Sequence, residues 1–126
     1  MSFLLDTNIV IAVLNGESAV ESQLPNKTTF LASIVIGELY YGARKSRRST
    51  ENLAKIETFV ANYPILACIK QTAEQYGLLK QALEAKGGLI PENDMWIAAL
   101  AKQHGLTLVT RDDHFKRVEG LTTVRW

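Results

Sequence analysis

Short apolar runs alternate along this chain with segments of helical hydrophobic period. That alternation points to an α/β domain built on a mainly parallel sheet. Phe3-Leu4-Leu5 reads as a short, fully buried strand with Asp6 at its carboxyl end. Thr7 or Asn8 is placed to cap a helix through Leu14, which Asn15-Gly16 stops. The pattern predicts a short helix over residues 18–24, a strand over 28–32, and a helix capped by Ser33 and running to about 44. The next helix opens at Ser49 or Thr50 and carries Leu53, Ile56, Val60 and Tyr63 at helical spacing. A strand over 65–67 follows, then helices over about 71–85 and 93–104, the second ended by Gly105. Thr107-Leu108-Val109 is a strand, and residues 121–124 form a final strand at an edge.

A length of 126 residues suits one domain, and 47% hydrophobic residues supply a sizeable core, which excludes a disordered chain. The formal net charge of +1 excludes a global cationic field, so any contact with nucleic acid must come from a local patch. Cys68 stands alone, which excludes an internal disulfide framework and a Cys-rich zinc site. The opening residues lack the basic and long apolar segments of a signal peptide, and no apolar run approaches the roughly 18–20 residues of a membrane span. A cytoplasmic location is expected.

The acids carry the chemistry. Asp6 and Asp112 each follow a strand, and in a parallel sheet both fall at the carboxyl edge, where ligand sites form. For Asp6 alone, helix capping explains the position equally well. Glu38 lies too deep in its helix to cap it. Its neighbours three and four positions away are Ile34, Val35, Tyr41 and Gly42, so it sits on an apolar or small-residue face. A buried carboxylate there needs a cation or a basic side chain. Asp94 shares a face with Ile97, Ala98 and Ala101; the plainer reading is a first-turn acid favoured by the helix dipole. Asn93 offers a competing cap, leaving Asp94 free to point inward. If Asp6, Glu38, Asp94 and Asp112 converge, a hard divalent ion such as Mg²⁺ or Mn²⁺ relieves their repulsion. His104 and His114 read as surface or helix-end residues rather than ligands.

Four segments carry a resemblance. Leu4-Leu5-Asp6-Thr7-Asn8 looks like the opening strand motif of PIN domains, and residues 33–42, SIVIGELYYG, look like the second motif of their VapC branch. Residues 93–99, NDMWIAA, and 108–115, LVTRDDHF, resemble the third and fourth motifs, with 118–121 resembling the tail that follows. The sequence therefore resembles the VapC-type ribonucleases of bacterial toxin–antitoxin pairs. The resemblance implies a single PIN domain over residues 1–126, with a three-layer α/β/α architecture and a mainly parallel central sheet. It implies a metal-binding set of Asp6, Glu38, Asp94 and one acid of the Asp112-Asp113 pair, here Asp112. Thr7, Asn8, Ser33 and Thr110 match polar positions that support such a cluster, with capping or turn formation as their plainer role. It further implies endonucleolytic cleavage of RNA, a homodimer, and a cognate antitoxin that wraps a groove and blocks the site.

Backbone binding requires cations. Arg44, Lys45, Arg47 and Arg48 lie within five positions at a helix end, where they also suit the helix dipole. Arg111, beside the fourth motif, is a further candidate RNA contact. Tyr40, Tyr41 and Trp96 are read as core residues before base-stacking ones, and the apolar face around Leu53, Ile56, Phe59 and Val60 exceeds what one small core covers.

Three other readings compete. A receiver-like Mg²⁺-binding signalling module gathers acids at strand ends, but it wants a Lys after a late strand, where this chain has Arg111-Asp112. A haloacid-dehalogenase-like phosphatase wants Asp-x-Asp after the first strand, where this chain has Asp6-Thr7-Asn8. A PIN domain that binds RNA without cutting it would be expected to have lost part of the acid set.

Overall fold

A computed structural model describes residues 1–126. The elements run β1 (Ser2–Leu5), α1 (Thr7–Leu14), α2 (Ser18–Glu21), β2 (Thr28–Ala32), α3 (Ser33–Lys45), α4 (Ser49–Val60), β3 (Ile65–Leu66), α5 (Lys70–Ala85), α6 (Glu92–His104), β4 (Thr107–Val109), a 3₁₀ segment (Asp113–Arg117) and β5 (Thr123–Val124). All strand pairings are parallel, in the order β3-β2-β1-β4-β5. Chain progress from β1 through β2 to β3 runs opposite in direction to the step from β3 to β4 and β5. Right-handed crossovers therefore put α1 to α4 on one face and α5 and α6 on the other, giving three layers. A receiver module is excluded on topology, because its strands follow the order 2-1-3-4-5.

The sheet centre is apolar on both sides. Leu4, Leu5, Leu31, Leu108 and Val109 are completely buried, as are Ile9, Val10, Val35 and Ile97 from the covering helices. That two-sided burial is why β1 and β4 read as continuous rather than alternating apolar runs. Leu5 pairs with both Leu31 and Val109, so Asp6, Ala32 and Thr110 come level at the carboxyl edge. The ladder carries on one step further, with Asp6 N donating to Val109 O at 2.9 Å.

Helix starts differ from the sequence expectation in three places. Asp6, not Thr7 or Asn8, caps α1, its carboxylate accepting from Thr7 N at 2.9 Å. Ala32 occupies the N-cap of α3, because β2 feeds the helix without a linker, and Ser33 becomes its first residue. Pro91, with φ −52° and ψ 146°, occupies the N-cap of α6, so Asn93 is not a cap. Gly105, at φ 63°, adopts the left-handed conformation that ends α6, and a side chain there would be strained. The short helix α2 ends at Glu21 rather than 24, and β5 is confined to Thr123–Val124.

The expected surplus of apolar surface on α4 is absent. Ile56 and Phe59 are buried, and Leu53 and Val60 pack against the same core. Exposed large apolar side chains lie elsewhere, at Tyr41, Ile65, Ile69 and Leu78 among others. No helix is long and apolar enough to cross a membrane.

Candidate active site

The acids that close β1 and follow β4 meet those on α3 and α6 above the carboxyl edge of the sheet. Asp6 is 3% exposed, held at the mouth of the core by the strand it terminates. Its Oδ1 accepts from Thr7 N, and its Oδ2 accepts from Thr110 Oγ1 at 2.7 Å and from Asn8 Nδ2 at 3.4 Å. Asn8 Nδ2 also reaches Asp112 Oδ2 at 3.3 Å, so one amide bridges two acids. Capping and membership of the acid cluster are thus the same act for Asp6, because its two oxygens serve different partners.

Asp112 is presented by a fixed turn. Its N–H donates to Thr110 Oγ1 at 3.0 Å, and the preceding Arg111 N–H donates to Asn8 Oδ1 at 3.3 Å. Arg125 Nη1 donates to Arg111 O at 2.9 Å. Glu38, half-buried on α3, accepts from Thr7 Oγ1 and Asn93 Nδ2, which ties α3 to the starts of α1 and α6. Asn93 was expected to cap its helix; released by Pro91, its side chain instead holds Glu38. Asp94, also half-buried, lies with Oδ2 2.7 Å from His114 Nε2.

Charge repulsion and burial leave their mark on these groups. Burial pushes the Asp6 carboxyl up from 3.8 to about 6; the Thr110 and Thr7 hydrogen bonds oppose the rise, and the charges of Asp94 and Asp112 add to it. Burial also raises Asp94, against the hydrogen bond and charge of His114, with Glu38 and Asp112 contributing repulsion. None of Asp6, Glu38, Asp94 and Asp112 forms an ion pair with a lysine or arginine. Four carboxylates that influence one another, with His114 beside Asp94 as the one basic side chain among them, suit a divalent cation.

The other expected site residues divide. Thr7, Asn8 and Thr110 are all hydrogen-bonded to the acids. Ser33 is exposed and makes no side-chain hydrogen bond, since the position it was expected to cap belongs to Ala32. Asp113 is exposed and pairs with Lys116 at 3.3 Å, which leaves Asp112 as the acid of that pair facing the cluster. His114, read from sequence as a surface residue, sits in the cluster: one ligand atom each from Asp94, Asp112 and His114 lie within 4.8 Å of one another. The one available signal was its place just beyond β4 at the carboxyl edge.

Arg44, Lys45, Arg47 and Arg48 are exposed and unpaired with acids, and Lys45 Nζ lies 4.6 Å from the Tyr41 ring centroid. Arg111 differs, because both its terminal nitrogens bind the Glu17 carboxylate, at 2.9 and 3.3 Å. Tyr41 is 65% exposed rather than a core residue, whereas Tyr40 packs on the core and bonds Glu57, and Trp96 stacks on Tyr76 with centroids 4.1 Å apart.

Comparison with known proteins agrees with this geometry. The PIN domain family matches residues 3–121. Over 130 aligned residues the chain is 38% identical to Ribonuclease VapC2 of Haemophilus influenzae, covering all of this chain and 98% of the relative. It is 34% identical to the tRNA(fMet)-specific endonuclease VapC of Shigella flexneri, with the same coverage. Among solved structures, VapBC2 from Rickettsia felis bound to a promoter DNA fragment superposes with a TM-score of 0.94 at 33% identity, covering 100% of this chain and 99% of that one. DNA-bound VapBC from Salmonella typhimurium superposes with a TM-score of 0.92 at 31% identity, covering 100% and 98%. The strand order, the acids at its carboxyl edge and the full-length likeness together mean that this chain belongs to the PIN-domain family, in its VapC branch.

Proposed function

We propose that the chain is a Mg²⁺-dependent endoribonuclease, with Mn²⁺ as an alternative ion, and the toxin of a cytoplasmic toxin–antitoxin pair. The observation that carries this reading is the meeting of Asp6, Glu38, Asp94 and Asp112 with no lysine or arginine to neutralise them. A bound divalent ion supplies Lewis acidity, lowering the pKa of water and offsetting charge on a phosphodiester. Asp6, Asp94 and Asp112 would be the principal residues to hold it. Glu38, held between Thr7 and Asn93 and close enough to Asp94 to raise its pKa, would accept a proton from water at that site. Asn8 and Thr110 fix the separation of Asp6 and Asp112.

Substrate binding falls to the exposed cations at the end of α3, which begin at Arg44, less than two turns beyond Glu38. The Glu17 pair commits Arg111 to holding the Asp112 turn rather than to RNA. A relative named for tRNA(fMet) makes tRNA the first substrate to try. A groove lined by Ile11, Leu14, Leu39, Ala43 and Ile56 opens beside Glu38. It receives an apolar antitoxin segment, whose arginine would bind the acids through paired, charge-assisted hydrogen bonds. A homodimer belongs to the same reading.

The test is RNA cleavage with Mg²⁺ or Mn²⁺, run beside EDTA and an Asp6→Asn variant. Cleavage that needs the ion and Asp6 is expected. Activity surviving both controls would overturn the mechanism, and RNA binding without cleavage under every condition would leave a non-catalytic RNA-binding domain.

A further inference from the structure

The oxygens of the acid cluster are unequally committed. Asp6 accepts hydrogen bonds from Thr7, Thr110 and Asn8, and Glu38 has one donor on each oxygen. Asp112 has only the 3.3 Å amide contact of Asn8, and Asp94 only His114. The carboxylates left most open therefore belong to Asp94 and Asp112, and one ligand atom each from these two and from His114 lie within 4.8 Å of one another. His114 turns its Nε2 toward them, 2.7 Å from Asp94 Oδ2. Its place is fixed by the 3₁₀ segment and by Phe115, which is completely buried and packs its ring 4.9 Å from the imidazole.

We infer that His114 is a nitrogen ligand of this site, and that Asp94, Asp112 and His114 together favour Mn²⁺, of the two ions named above, over Mg²⁺. The inference rests on the metal-dependent reading proposed above and narrows which ion it takes. Carboxylate and water suit Mg²⁺ and Mn²⁺ alike, whereas imidazole adds affinity for Mn²⁺, Co²⁺ and Zn²⁺ in rising order and little for Mg²⁺. An all-oxygen site built from the same acids would not make that distinction. The competing role for His114 is to orient Asp94 by a hydrogen bond, as partners of metal ligands commonly do.

The two roles separate in the full-length chain, stripped of metal and titrated with Mg²⁺, Mn²⁺ and Zn²⁺ by calorimetry. Wild type is compared with His114→Ala, His114→Gln and Asp6→Asn, each checked for folding by circular dichroism. Pulsed electron paramagnetic resonance of the Mn²⁺-loaded protein reads nitrogen coordination directly. A ¹⁴N coupling in wild type that disappears in both His114 variants is expected. So is a loss of Zn²⁺ affinity of about tenfold or more with Mg²⁺ affinity nearly unchanged. Mn²⁺ bound without nitrogen coupling, or equal weakening of all three ions that Gln restores, overturns the ligand role while leaving the nuclease reading standing. Failure of wild type to bind any of the ions removes both.

Discussion

Thr110 Oγ1 donates to Asp6 Oδ2 across 2.7 Å, a buried hydrogen bond between the end of β4 and the end of β1. The same hydroxyl oxygen accepts from Asp112 N, so one threonine sets two acids of the cluster. Thr110→Val keeps the shape and removes both bonds. The variant should lose about 1–3 kcal/mol of stability by urea denaturation. Its Asp6 carboxyl should titrate higher than in wild type, read by NMR of the metal-free protein. An unchanged Asp6 titration would mean that the bond does not govern this group.

Asp6 itself makes stability depend on pH. Its carboxyl titrates near 6 in the fold against 3.8 ordinarily, so the folded state holds a proton that the unfolded chain has released. The associated stability is fully present below about pH 4 and is lost as pH rises through about 6, a change of up to roughly 3 kcal/mol. Metal-free protein should therefore show a downward contribution to stability across that window. Asp6→Asn should abolish it and raise the melting temperature at pH 7.5. Cation affinity should move the opposite way, rising as Asp6 ionises.

Asn8 donates to the carboxylates of both Asp6 and Asp112, whereas Thr110 reaches Asp112 through its backbone N–H. Asn8→Ala should weaken divalent-ion binding by about 10- to 100-fold, the usual scale for a group that orients metal ligands. Calorimetric titration measures this; affinity within a factor of two of wild type would show that Thr110 holds Asp112 without help from Asn8.

The cations at the end of α3 make a claim about salt. Replacing Arg44, Lys45, Arg47 and Arg48 together with glutamine should weaken RNA binding and reduce the slope of log affinity against log salt, by up to about 3 if each meets one phosphate of a single strand. Binding should be followed in EDTA, so that cleavage does not intervene. Wild-type affinity and slope would remove the patch from the interface. Arg111→Gln should instead act through the Asp112 turn, lowering activity with little change in slope.

Much of this site was legible in the sequence because a parallel sheet brings strand ends to one edge. Asp6 and Asp112 follow from that rule, and Glu38 and Asp94 from helical spacing. What escaped reading depended on contacts distant in the chain or on elements without periodicity. The 3₁₀ segment Asp113–Arg117 is too short to show a hydrophobic period, so only its place just beyond β4 hints that His114 turns inward. Asn93 looked like a cap because its residue type suits one, but the fixed φ of Pro91 starts α6 earlier and frees the amide for Glu38. Ser33 failed for a similar reason, since β2 leaves no room for a separate cap. The Arg111–Glu17 pair, far apart in sequence and adjacent in space, likewise has no sign in the sequence.

The central place of β1 has a bearing on how the protein is made. β1 pairs with Thr107–Val109, a strand far downstream of it in the chain. Until that late strand docks, Asp6 has no Thr110, Asn8 no Asp112 and Asp94 no His114. A nascent or truncated chain thus carries most of the sequence of a nuclease while lacking its assembled centre. Chains arrested before Thr107 should be inert toward RNA.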